Sequence, residues 1–372
     1  VDVPGLGEAG RSVTERVEAT LQTASLDGRS AARLAPDRFA LLRGDVAQDL
    51  SEAVKAAAAA AAEGCELEPR VARVSLSPGA APVNALRALR FTIESCLKDG
   101  GAFDPEQTFG AHLNQTLRDA DRFSEMVRTR EFELHWQPIV DLSTRAVHHF
   151  EALARFGAVG GPAPIIRMAE ELGLVEAFDL AVAEKALGRL RRPGGGTLEV
   201  AVNASAASLA GDAYVNGLLR MTQADPSLRR RLMVEVTETA ALADLEAANT
   251  RLSWLRAAGV RVCIDDFGAG AASFDWLGRL KVDMVKIDGG FVKRLETDSR
   301  ASTLIAHLAA LCASLKVDVV AEMIETEETA VMLQDLGVRF GQGWLFGRAE
   351  AEPTLRLREP RLKRVGAVEA WG

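Results

Sequence analysis

The chain is short of cysteine, of positive charge and of long apolar runs, and each shortage excludes something. Its four cysteines, Cys65, Cys96, Cys263 and Cys312, form no C-x-x-C pair, and none stands at zinc spacing from a histidine. They read as reduced, buried thiols of a cytosolic protein, not as a disulfide frame or a zinc site. Lys and Arg number 44 against 52 Asp and Glu, a net charge of −8 with His neutral. That balance argues against binding a DNA or RNA duplex, which needs basic stripes to neutralise phosphates. It leaves room for a small anionic substrate held by metal ions and one or two local cations. No apolar run approaches the ~20 residues of a membrane span. The most uniform stretch, Ala56 to Ala62, is short and flanked by Lys55 and Glu63. No secretory signal is visible and the chain opens on Val1, so it reads as a cytoplasmic segment, with an upstream membrane or sensor region left open.

What is present is ordinary globular composition, 48% apolar and 26% charged over 372 residues. At ~150 residues per domain, that length suits two domains. Residues 1–105 are Ala-rich and alternate helical stretches (Ser12–Ala24, Asp45–Ala62, Val83–Leu97) with short apolar runs (Phe39–Leu42, Val71–Leu76), a small α/β pattern. The stretch Gly100–Gln107 reads as a hinge, and 106–129 as a connector helix.

From Arg130 the rhythm changes. Eight apolar runs recur: Phe132–Val140, Ala146–Ala154, Leu198–Val202, Leu232–Val236, Val260–Ile264, Val282–Ile287, Val317–Ala321 and Val338–Phe346. Helical patterns separate most of them, which predicts a parallel sheet and, at this size, a TIM-like (β/α)8 barrel over 130–358 with a tail at 359–372. Only Asp141 to Arg145 separates the first two runs, too few residues for a parallel crossover. The first strand should therefore run antiparallel.

The strand ends carry a second pattern. The apolar runs bear or lead into Glu151, Asn203, Glu235, Asp265 with Asp266, Lys286 with Asp288, Glu322 with Glu325, and Gln342. In a parallel barrel those ends converge on one face. Carboxylates gathered there repel one another, and a divalent cation is the natural remedy. An all-oxygen donor set favours Mg²⁺ or Mn²⁺ over zinc. The adjacent pair Asp265-Asp266 suits two ions, as in two-metal phosphoester hydrolysis. A lone acid after a strand is more often a helix cap or a solvated loop residue. Asn203 before Ala-Ser could itself be a cap. Repetition on most strands weakens that reading.

These residues carry a resemblance. Phe150-Glu151-Ala152-Leu153-Ala154-Arg155 resembles the EAL signature of cyclic-di-GMP phosphodiesterases. Around it stand Gln137-Pro138-Ile139-Val140, Val202-Asn203-Ala204-Ser205, Val234-Glu235-Val236-Thr237-Glu238-Thr239 and Ile264-Asp265-Asp266-Phe267-Gly268. Val285-Lys286-Ile287-Asp288, Ala321-Glu322-Met323-Ile324-Glu325 and Gly341-Gln342-Gly343-Trp344-Leu345-Phe346 complete the set, over roughly Arg130 to Ala351. The family fold is a barrel with its first strand antiparallel. The resemblance implies that Glu151, Asn203, Glu235 and Asp265 hold one metal, and that Asp265 and Asp266 reach a second supported by Asp288. Glu322 and Lys286 orient and deprotonate the attacking water, and Arg155 contacts phosphate. Gln137 and Gln342 line the nucleotide pocket. Glu238 anchors the loop after Asp266, Glu325 supports that side of the site, and the EAL domain forms a homodimer. The product is linear pGpG.

The sequence departs from the family in places. The usual DFGTGYSS loop reads Asp266-Phe267-Gly268-Ala269-Gly270-Ala271-Ala272-Ser273, and Met323 replaces a frequent Gly. The altered loop keeps a second function open, a receptor that binds the dinucleotide without cleaving it. Against that stand Glu322 and Lys286, which a pure receptor does not need. An enolase-type barrel fits poorly with a reversed first strand. In the N-terminal part, residues 32–42 resemble the RLGGDEFALL hairpin of diguanylate cyclases, with Ala35-Pro36 in place of the Gly pair and Arg38 in place of a metal-binding acid. That resemblance implies a truncated, inactive GGDEF-like domain with a regulatory or dimerising role.

Overall fold

The computed structural model describes residues 1, 3–6, 9–26, 28–41, 43, 49–62, 67–71, 108–157, 163–192, 196–237, 244–268, 279–295 and 298–355. The expected helix Val83–Leu97, most of the run Val71–Leu76, the hinge and the tail lie outside these residues. The chain divides into two compact units, Val1–Phe123 with Arg167–Leu172, and Ser124–Ile166 with Gly173–Gly372.

In the first unit, α1 (Arg11–Thr23) is followed by an antiparallel hairpin, β1 (Ala31–Ala35) and β2 (Arg38–Leu41), and by α2 (Leu50–Ala61). Val13, Val17 and Leu21 recur every fourth residue on α1 and pack with Phe39, Leu50 and Val54 in one core. Asp49 caps α2 by accepting the Ser51 amide at 2.9 Å. The helix α3 (Thr108–Thr129) follows.

The second unit is a closed eight-stranded barrel. Its strands are β3 (Glu133–Asp141), β4 (Val147–Arg155), β5 (Val200–Ala204), β6 (Leu232–Thr237), β7 (Arg261–Phe267), β8 (Met284–Ile287), β9 (Asp318–Ala321) and β10 (Phe340–Gln342). β3 runs antiparallel to both its neighbours, β4 and β10, and every other pair is parallel. The short first connection thus has the consequence expected of it. Helices α4 (Ala163–Leu172), α5 (Val175–Leu190), α8 (Leu245–Ala257), α10 (Ser299–Leu315) and α11 (Glu327–Asp335) match the helical patterns. Three short helices were not foreseen, α6 (Ala206–Ala210), α7 (Ala213–Met221) and α9 (Gly289–Arg294), because five to nine residues carry too little periodicity to read.

The last run is a correction. Val338–Phe346 looked like one long strand, yet β10 ends at Gln342. Gly343 lies against the Ile324 backbone, and the Leu345 amide donates to the Ile324 carbonyl at 3.1 Å, so the chain turns there.

The β3–β4 turn is held by one carboxylate. Asp141 accepts the Ser143 and Thr144 amides at 3.0 and 2.9 Å and both hydroxyls at 2.6 and 3.1 Å. The Ser143 hydroxyl leads in pulling its pKa down to about 2. A depressed carboxyl stabilises the fold above its unfolded value and loses that contribution as pH falls toward 2. Asp141→Ala should cost roughly 1–2 kcal/mol at pH 6, with the gap to wild type closing near pH 2. Urea unfolding at the two pH values checks this, and an equal gap at both would remove the carboxylate from the explanation.

Candidate active site

Side chains alternate along a strand, so residues two apart share a face. Ile139, Ala201, Met233, Cys263, Met284, Val320 and Phe340 form one packed layer inside the barrel. Two residues further toward the parallel strands' C-terminal ends stand Asn203, Glu235, Asp265, Lys286, Glu322 and Gln342. Antiparallel β3 contributes Gln137 in register with Glu151 of β4. Under Glu151 lies His149, buried and held well below its ordinary pKa, first by burial and then by His148, Arg261 and Lys286. The apolar layer is the floor of the site and the polar layer is the site.

Lys286 is the centre of that layer. Its Nζ lies 2.7 Å from Glu322 Oε1, 3.1 Å from Asp265 Oδ1, 3.2 Å from Glu235 Oε2 and 3.3 Å from Glu151 Oε2. Burial alone would lower its pKa, but the four carboxylates drive it well above the ordinary value. Glu151 also accepts from Asn203 Nδ2 at 2.9 Å and Gln342 Nε2 at 2.7 Å. These donors and Lys286 outweigh burial and keep Glu151 below its usual pKa. Glu235 goes the other way. Burial, offset in part by Lys286, and the charges of Glu151 and Asp265 push it well above the carboxylate range. Its Oε1 is buried and has no hydrogen-bond partner. Burial is also the leading cause that lifts Glu322 to about 7.

One ammonium does not balance four carboxylates. Oxygens of Glu151, Glu235 and Asp265 lie within 4.8 Å of one another, as do those of Asp265, Asp266 and Glu322. The all-oxygen donor set and the orphaned Glu235 Oε1 fit a hard divalent cation. Asp265 belongs to both clusters, and Asp266 joins it in the second because the strand breaks its alternation there. Asp266 has φ +56°, and the β7–β8 register shifts between Ile264 and Phe267. Bulges of this kind re-aim side chains beside active sites, and Asp tolerates the left-handed region.

The other expected residues fall around this core. Asn203 is not a cap. Ser205 caps α6 instead, accepting from the Ser208 amide. Asp288 caps α9 through the Gly290 amide at 3.0 Å. Gln137 Nε2 donates to the Gly347 carbonyl at 3.4 Å, and Arg155 donates to the Ala154 carbonyl at 3.1 Å. Glu325 is exposed in the turn before α11. Glu238 and the loop 269–272 lie outside the described residues.

One residue was missed, Asp179. On α5 it accepts the Ser205 amide and the Ser208 hydroxyl, each at 2.8 Å, and so fixes the turn after Asn203. The available signal was an acid in helical step with Val175, Val182 and Ala186, on the face the helix buries. Met323 stands at φ +55° beside Glu322, with its side chain over Gly289, where a Cβ would meet its Sδ at 2.2 Å.

Gly343 is the tightest approach. A Cβ there would lie 2.0 Å from the Ile324 carbonyl oxygen and 2.3 Å from its amide nitrogen. Backbone cannot step aside as a side-chain tip can. Gly343→Ala should cost about 3 kcal/mol or more and displace Gln342. A melting curve checks it, and a wild-type melting temperature would contradict it.

Residues 120–349 match the EAL domain family, well over half of the chain. The chain belongs to the EAL domain family. Cyclic di-GMP phosphodiesterase NbdA of Pseudomonas aeruginosa is 30% identical over 262 residues, 68% of this chain and 33% of that protein. The solved PaMucR phosphodiesterase in complex with c-di-GMP is 32% identical with a TM-score of 0.58, over 63% of this chain and 97% of that one. Klebsiella pneumoniae BlrP1, solved with calcium and cyclic-di-GMP, is 30% identical with a TM-score of 0.53, over 59% and 55%. The EAL chain described here spans about a third of the length of the curated relatives it matches. Among its described residues, no helix is long and apolar enough to cross a membrane.

Proposed function

We propose that the EAL barrel hydrolyses cyclic-di-GMP to linear pGpG with the help of Mg²⁺ or Mn²⁺, two ions in all. The carrying observation is the ring of strand-end groups, in which an excess of carboxylate surrounds one buried lysine and leaves Glu235 Oε1 unsatisfied. Glu151, Asn203, Glu235 and Asp265 hold one ion, and Asp265 and Asp266 reach the second with support from Asp288. When bound, such cations acidify a water and offset the charge that builds on the phosphodiester.

The chain's own groups do the rest. Glu322, lifted to about 7, is matched to taking a proton from water near neutral pH. Lys286, 2.7 Å away, fixes the direction of that carboxylate. The water oxygen forms a new bond to phosphorus as one ester P–O bond breaks, and the leaving oxygen regains a proton. Arg155 presents a guanidinium to the phosphate oxygens, while Gln137 and Gln342 line the nucleotide pocket. Glu238 and Glu325 support the surrounding loops. A homodimer through the EAL domain belongs to the same reading. Its support is the exposed apolar set Leu304 and Leu315 on α10 with Val331 and Met332 on α11. A reducing, cytoplasmic setting suits the free, buried Cys263 and Cys312. The hairpin β1–β2, with Arg38 where a diguanylate cyclase carries an acid, supports an inactive GGDEF-like remnant over residues 1–105. On the same reading, 106–129 is the connector, 130–358 the barrel domain and 359–372 a tail.

The test is incubation with cyclic-di-GMP and Mn²⁺, with products separated by chromatography. Linear dinucleotide that disappears on adding chelator is expected. Intact ligand recovered at saturating binding would make the protein a receptor.

A further inference from the structure

We propose that Lys286 is the resident counter-ion of the barrel and competes with a divalent cation for the oxygens of Glu151, Glu235 and Asp265. Metal entry then requires the ammonium to give up those three contacts and keep Glu322. This inference rests on the metal-site reading above.

The geometry argues it directly. The ammonium lies 3.1 to 3.3 Å from one oxygen of each of the three carboxylates that form the first oxygen cluster. It is essentially buried, 2% exposed, so no solvent screens it from a second cation. An ammonium has three donors, yet four carboxylates face this one. The bonds are unequal, and Glu322 at 2.7 Å holds the short one. The three longer contacts are the ones to be surrendered. They are also made to the residues that form the first oxygen cluster. An ammonium and a divalent ion at one focus repel strongly in a dry interior. The lysine therefore weakens metal binding, and it also keeps the barrel folded when metal is scarce.

Two readouts on the full chain test this without an activity assay. The first is the melting temperature in chelator and in saturating Mn²⁺, and the second is Mn²⁺ affinity by calorimetry. Lys286→Met is expected to lower the melting temperature in chelator by roughly 10 °C, since it strands buried carboxylates. Mn²⁺ should recover most of that loss, and its affinity should tighten about tenfold or more. A variant that binds Mn²⁺ no tighter than wild type overturns the proposal. Wild type that binds no Mn²⁺ at all sinks the metal-site reading instead, so the two failures are distinct. Should Lys286→Met not fold in chelator, Glu235→Gln supplies the test. It removes surplus charge and keeps the lysine, so it should melt in chelator at or above wild type. A lower melting temperature for that variant counts against the counter-ion role.

Discussion

Glu322→Gln is expected to cut turnover of cyclic-di-GMP by roughly 10³-fold while leaving its affinity within a few-fold of wild type. The amide keeps the shape of the side chain and loses the ability to accept a proton. Burial with Asp265 nearby lifts the wild-type carboxyl to about 7, against the pull of Lys286. A raised carboxylate is protonated below that value and serves as a base above it. Wild-type turnover should therefore climb as pH rises through about 7 and then level off. The variant's residual rate should lack that climb. Chromatographic rates across pH, with binding measured by calorimetry, check both parts. A variant that retained wild-type turnover would remove Glu322 from the chemistry.

Glu151→Ala has the second large effect. This carboxylate, itself buried, is the shared acceptor of Asn203, Gln342 and Lys286. Its removal leaves the two amides without that acceptor and deletes one of the three oxygens of the first cluster. Turnover should fall by about 10³-fold or more, because the oxygens that place the ion are no longer complete. Stability in chelator should fall by about 2–3 kcal/mol, the penalty of stranded buried donors. The rise in melting temperature on adding Mn²⁺ should largely vanish. Full turnover in this variant would rule out a metal held at that strand end.

Much of this was legible before any coordinates. Short apolar runs separated by helical patterns, with an acid or amide closing nearly every run, mark both the barrel and its active face. Five residues between the first two runs set the reversed strand. Other features could not be read. The bulge that lets Asp265 and Asp266 act together depends on one left-handed residue, and Asp at φ +56° leaves no trace in spacing. Lys286 was read as a partner of Glu322, but its place at the focus of four carboxylates comes from four strands converging. Asp179 secures the turn after Asn203 across 26 residues of chain, a distance over which local pattern says nothing. The end of β10 was misjudged because a close backbone approach at Gly343 overrode apolar continuity.

The most direct test of the hydrolytic site is to run the reaction in ¹⁸O-labelled water with Mn²⁺ and weigh the product by mass spectrometry. A water that Glu322 deprotonates and that attacks phosphorus must leave its oxygen behind. One labelled oxygen in the terminal phosphate of the linear dinucleotide is the predicted result, with none formed by Glu322→Gln. Unlabelled product, or cyclic-di-GMP returned intact, would contradict a hydrolytic ring at the strand ends.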